Sequence, residues 1–404
     1  MKIKNTLILV FIVLSTSLCA QETVKSYMFG HSLINHVVPP GTTPGQVSQE
    51  TSVPHWMHFL AEEAGHTFEV SGRFGFIEQH AATLPPTSSI GYDSVTDAWD
   101  SDTESFASVN FTNVLLAPSN FEQWIAPDQV HPNSSYVAID DTQEIFDWVV
   151  NQDSDVNLYV YESWPDMGHP NYTPNGFPPT AQGWQNYLDV TVDEQGEFHT
   201  WFVDYYDLLQ PLYPNQCVKI IPAGPTIHKL LGESPYNQIS VSDLYEDDAP
   251  HGRPNIYFLA ALTTYMAMYE EKAPATYVVD PIIHPIIRNN YAAIVDYLWN
   301  ELQSFNDTQG NSRVFCSLQP GLSINDYVNV NLLVYPNPTS SILSVANDKT
   351  INELQLYNYV GQLVFSEEVL SQEYNIDVSS LSSGTYILKV STDDGICHKK
   401  ILIE

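Results

Sequence analysis

The sequence predicts an α/β domain, a mostly parallel sheet with helices on both faces, followed by a small β-sandwich. Two observations carry this. From residue 25 to about residue 305, short apolar runs alternate with amphipathic stretches, the pattern of parallel strands joined by crossover helices. From residue 332 to 404 the helical period disappears, and short alternating runs are broken by Pro, Asn and Gly, as in a small sandwich. Residues 311–331 between them, polar and irregular, read as a linker.

The elements follow in order. "KSYMF" is the first strand, and "VPHWMHFLAEEAG" (53–65) is a helix stopped by Gly65. "HTFEVSG" is the second strand and "FTNVLLAP" (111–118) the third, near-continuously apolar as a doubly covered strand should be. "DTQEIFDWVVN" (141–151) reads as a helix capped by Asp141. "VNLYVYES" (156–163) is the fourth strand, "WFVDYYDLLQPLY" (201–213) a helix, and "CVKIIPAG" (217–224) the fifth strand. Two helices, 255–271 and 286–305, close the first domain.

The N-terminus carries Lys2 and Lys4, an apolar run from Leu7 to Leu14, and small residues up to Ala20. This is the pattern of a secretory signal peptide cleaved after Ala20, too short for a transmembrane anchor. No other segment is apolar and long enough to span a bilayer. The formal charge of −34 becomes −36 without the signal, which sets the chain against nucleic acid and anionic membranes as partners. Cys217, Cys316 and Cys397 remain after processing, without C-x-x-C spacing. They argue against a zinc site and leave one bridge open, Cys217 with Cys316 among the pairings.

Function is sought at the carboxyl ends of the strands, where open α/β sheets gather their ligands. "YMFGHSLINH" (27–36) ends an apolar strand at Gly30 and then presents Ser32. A serine is a weak nucleophile until a base takes its proton and an acid orients that base. "YEDDAPHGRPN" (245–255) offers that pair as Asp248 and His251, three residues apart. Donors for an oxyanion are Gly75, with Gly72 as alternate, in "SGRFGF", and the side-chain amide of Asn120 in "LAPSNFEQW".

The order of these blocks along the chain resembles the SGNH (GDSL-like) hydrolase family over about residues 25–272. The resemblance implies a flavodoxin-like sheet with Ser32 as nucleophile, His251 as general base and Asp248 as its orienting acid. Gly75 N–H, the Asn120 side chain and the N–H of Ser32 would form the oxyanion hole. Two departures stand out: the usual Gly-Asp-Ser-Leu is Gly30-His31-Ser32-Leu33, and the usual Gly-x-Asn-Asp is "PSNF". The tail resembles the C-terminal sorting domain of the type IX secretion system through "VYPNP" (334–338), "LYNYVGQLV" (356–364), "LSSGTYILKV" (381–390) and the closing "KKILIE". That resemblance implies transfer across the outer membrane by the type IX machinery.

Aromatic residues crowd the loops at the presumed active edge, where sugar rings stack. Trp124 and Trp164 are the expected substrate contacts, with His31 and Arg253 as further candidates and Trp184 nearby. The expected substrate is therefore an acylated polysaccharide or oligosaccharide, hydrolysed without cofactor or metal. Two other readings stay open. A metal-dependent hydrolase would draw on His31, His36, His80 and the acids of 246–251, and a non-catalytic glycan-binding surface protein would keep only the fold.

Overall fold

The computed structural model describes residues 22–36, 52–88, 92, 95–121, 123–132, 136–193, 197–316, 333–358, 362–392 and 395–403. The expected signal peptide and residues 317–331 of the expected linker lie outside them. The chain forms two units, residues 1–317 and 318–404.

The first unit is built on five strands, β1 (Thr23–Gly30), β2 (Thr67–Phe74), β3 (Asn113–Leu116), β4 (Asn157–Glu162) and β5 (Val218–Pro222). All four pairings are parallel, and the order is β2-β1-β3-β4-β5. Side chains alternate between two cores as a pleated strand requires. Met28, Leu115, Tyr159, Tyr161 and Ile221 face one core, and Tyr27, Phe29, Leu116, Val160 and Ile220 face the other. Helices cover both faces, so the doubly wound class is as expected. On the first face the helix Pro254–Tyr269 is buried along its whole length, which is why its residues are apolar all round.

The elements differ from expectation in three places. The helix Ala138–Gln152 starts three residues before Asp141, with Val137 at the cap, so Asp141 sits in the first turn and complements the helix dipole there. β5 ends at Pro222 and a helix, Ala223–Gly232, follows at once. Gly224 is required there because a Cβ would stand 1.8 Å from the Ser163 carbonyl oxygen. Trp184, expected in a loop, belongs to the helix Ala181–Val192 and stacks on Tyr187.

The linker also begins later than residue 311. Arg313 pairs with Asp207 at 2.9 Å, Val314 and Phe315 are buried, and Cys316 forms a disulfide with Cys217. Residues 311–316 thus belong to the first unit. The second unit is antiparallel, with β6 (Leu333–Tyr335), β7 (Ile342–Asn358), β8 (Leu363–Asp377), β9 (Gly384–Thr392) and β10 (Gly395–Ile403). β7 and β8 shift register between Ala346 and Ile351, and Leu343, Val345, Leu354, Leu388, Val390 and Ile401 fill one core. No helix among the described residues is long and apolar enough to cross a membrane.

Candidate active site

The chain leaves β1 for β2 on one side and returns to β3 on the other, so the crevice between β1 and β3 is the switch point of the sheet. Ser32 lies just beyond β1 and Asn120 just beyond β3. His31 ties the two loops together. It is buried, its Nε2 lies 3.0 Å from the Pro118 carbonyl, and its Nδ1 accepts from the Leu33 N–H at 3.3 Å. These partners assign the neutral tautomer with the proton on Nε2. Burial pushes the imidazole down to about 4, against the pull of the Pro118 carbonyl. Expected as a substrate contact, His31 is instead an internal brace, since 1% exposure leaves it no face for a ligand.

The candidate base, His251, sits in the loop joining Leu244 to the helix Pro254–Tyr269. A bridge between Tyr245 and Gly252 closes this loop, and the Glu246 N–H donates to the His251 carbonyl at 2.9 Å. The partner of His251 is Asp247, four residues away, rather than the expected Asp248. Asp247 Oδ2 lies 2.7 Å from Nδ1, while Oδ1 accepts from the N–H groups of Ala249 and His251, each at 3.1 Å. Such a turn curls the first acid inward. Asp248 is exposed, and its main-chain carbonyl accepts from the Met167 N–H at 2.8 Å. Burial raises the Asp247 carboxyl, but the hydrogen bonds from His251 and Ala249 outweigh it and hold the group below its ordinary range. With Nδ1 committed as donor to Asp247, the lone pair of His251 is on Nε2. Among the described residues Nε2 carries no hydrogen bond.

Two connections bring this loop to Ser32, and a third ties it to Asn120. The Tyr257 hydroxyl donates to the Ser32 carbonyl at 2.7 Å and accepts from the Gly252 N–H at 3.2 Å. His36, four residues past the serine, stacks on His251 with ring centroids 3.7 Å apart and planes 13° from parallel. The Trp164 Nε1 donates to the Pro250 carbonyl at 3.0 Å, and the Trp164 carbonyl accepts from Asn120 Nδ2 at 3.3 Å. Trp164 is fully buried, so the expected sugar platform is a core residue that braces the loops of Asn120 and His251.

The candidate oxyanion donors divide. Asn120 is buried, and because an amide nitrogen carries two hydrogens, its bond to Trp164 fixes the side chain without using all its donor capacity. Among the described residues the Ser32 N–H has no partner. The Gly75 N–H donates to the Gly30 carbonyl at 2.9 Å, prolonging the ladder of β1 and β2, and so is not presented to a ligand as expected. The alternate, Gly72, lies within β2, where a Cβ would stand 2.6 Å from the Met28 carbonyl oxygen. Arg253, a candidate substrate contact, is engaged by the loop of His251: Nε donates to the Tyr245 carbonyl at 3.2 Å, and the guanidinium faces Glu246 at 3.9 Å.

A groove of about 540 Å³ opens beside Asn120, between Trp124, Phe121, Asp166, Tyr172 and Glu197. Trp124 is 57% exposed and Phe121 45%. Asp166, not anticipated from the sequence, donates its N–H to the Asn120 carbonyl at 3.1 Å and accepts from Gly168 at 2.6 Å. Burial raises its carboxyl, opposed by Gly168 and reinforced by Asp248 and Asp247. Among the described residues no cluster of His, Cys, Asp and Glu has the makings of a metal site.

Residues 333–404 match the model of the secretion system C-terminal sorting domain, in keeping with the resemblance read from the tail. No curated protein matches the chain. Among solved structures, a DUF4886 family protein from Bacteroides uniformis is similar at a TM-score of 0.43 and 15% identity, covering 74% of this chain and 100% of its own. A protein described as a GDSL-like lipase, from Parabacteroides merdae, gives 0.35 and 10%, covering 62% and 98%. A catalytic mutant of an acetylxylan esterase from Geobacillus stearothermophilus gives 0.36 and 10%, covering 63% and 97%. Likeness at this level assigns no residue a role.

Proposed function

We propose that the protein is an exported serine esterase that removes O-acyl groups, O-acetyl as the simplest case, from a polysaccharide without acidic groups. The observation that carries the reading is the Asp247–His251 pair at 2.7 Å, with Ser32's own loop stacked against its imidazole. Ser32 Oγ attacks the acyl carbonyl as Nε2 of His251 takes its proton, and Asp247 steadies the imidazolium that forms. The oxyanion is held by the Ser32 N–H and Asn120 Nδ2. Collapse expels the sugar hydroxyl, which takes the proton from His251, and leaves an acyl-serine. Water, deprotonated by the same nitrogen, then releases the carboxylic acid and restores Ser32. In the free enzyme the serine–histidine hydrogen bond is commonly loose and tightens with substrate.

The groove supports the substrate class. Trp124 presents an aromatic face for a sugar ring, while Asp166 and Glu197 place carboxylates beside it and repel uronic or sulfated units. The sorting tail supports export, with the product released or held at the cell surface.

The full chain should hydrolyse a short-chain chromogenic ester and release acetate from an acetylated neutral glycan, more slowly from an acidic one, and be indifferent to chelator. Trp124→Ala should raise KM on the polymer about tenfold and leave the small ester unaffected. Loss of activity with chelator, or a folded chain inactive on both esters, would overturn the reading.

A further inference from the structure

We propose that His36 is a positioning residue for His251, holding the catalytic ring in plane and supporting its positive charge in the transition state. The inference rests on His251 acting as the base. Two imidazoles 3.7 Å apart and 13° from parallel bar rotation of the His251 ring toward one face. His36 Nε2 points to Glu246 Oε2 at 3.6 Å, so the stack is anchored on the residue preceding Asp247. His36 is pushed down to about 4 by burial first and by His251 second, against Asp247, and is neutral at pH 7. A neutral π face against an imidazolium is attractive, whereas a second charge there would repel it.

The other ionisable groups around the pair are accounted for. His251 is hydrogen-bonded to Asp247 and interacts with His31 and Asp166. Glu246, behind His36, also faces Arg253. His31 is buried and low in proton affinity, and replacing His36 removes only its own contact with Glu246, which both replacements at residue 36 lose alike. The effect sought is that of one aromatic face.

The test compares the full chain with His36→Ala, His36→Phe and Ser32→Ala on a short-chain ester from pH 5 to 9, with thermal unfolding as a check on folding. His36→Ala should lower kcat about tenfold with KM unchanged, and move the acid limb down by about one pH unit. His36→Phe, which keeps a flat ring and has no proton to give, should restore most of kcat. Unchanged kcat and acid limb in His36→Ala, or a folded His36→Phe no better than His36→Ala, would overturn the proposal. If Ser32→Ala instead keeps full activity, the esterase reading fails, and the imidazole resonances of His251 decide the stack alone. Their titration midpoint falls in His36→Ala if the stack is real, and an unchanged midpoint refutes it.

Discussion

The loop 245–252 and the groove beside Asn120 border one crevice, but one is closed by its own hydrogen bonds and the other leaves its aromatic rings uncovered. In the loop nearly every group is engaged: Asp247 accepts three hydrogen bonds, Glu246 N–H and His251 C=O meet each other, and Pro250 is held by Trp164. In the groove the rings of Trp124 and Phe121 stand half open to solvent. Hydrogen bonds that fix a base must be satisfied before substrate arrives, since only then does reaction cost no reorganisation. A surface that recognises a polymer has to be left uncovered. On the proposed reading, the difference separates residues that set the rate from residues that set the substrate.

The comparison is broken most decisively at the acid. Asp247→Asn should lower kcat by about 10³-fold or more, because the orientation of His251 depends on that carboxylate, whereas Asp248→Asn should stay within about twofold of the native enzyme. Equal losses, or a larger loss at Asp248, would return the acid to the register read from the sequence. Steady-state kinetics of the two variants at one pH suffices.

A smaller effect sharpens the contrast between buried and open groups. His31, His80 and His228 are each about 1% exposed, and burial pushes all three imidazoles down to about 4. The unfolded chain takes up protons near pH 6.5, before the folded one does. Stability from these groups is therefore complete above about pH 6.5 and lost as pH falls towards 4, on the order of 1–3 kcal/mol per histidine. Denaturant midpoints measured from pH 7 to pH 4 should fall, and a flat profile would show that these imidazoles are not held neutral.

Much of the architecture is legible in the residues because both cores follow from strands apolar on both faces. The crevice is legible too, since Ser32 and Asn120 each follow a strand end. What escaped depends on tertiary contact. "EDDAPH" contains two adjacent aspartates, and only the main-chain N–H groups of Ala249 and His251 select Asp247; the tendency of Asp to accept from N–H groups two and more residues on was the available signal. Trp164 and Trp124 look alike as loop aromatics, yet one continues a buried strand end and the other leaves it. Gly75 follows the second strand as an oxyanion donor should, but the ladder extends one residue further and takes its N–H. His36 had no sequence signal beyond lying four residues from the serine.

The most direct test of the central claim is Ser32→Ala in the full chain, assayed on a short-chain acyl ester with and without chelator. The account predicts a fall of about 10³-fold or more in kcat, as removal of a triad member implies, and no response to chelator in the native protein. Activity that survives Ser32→Ala would contradict it.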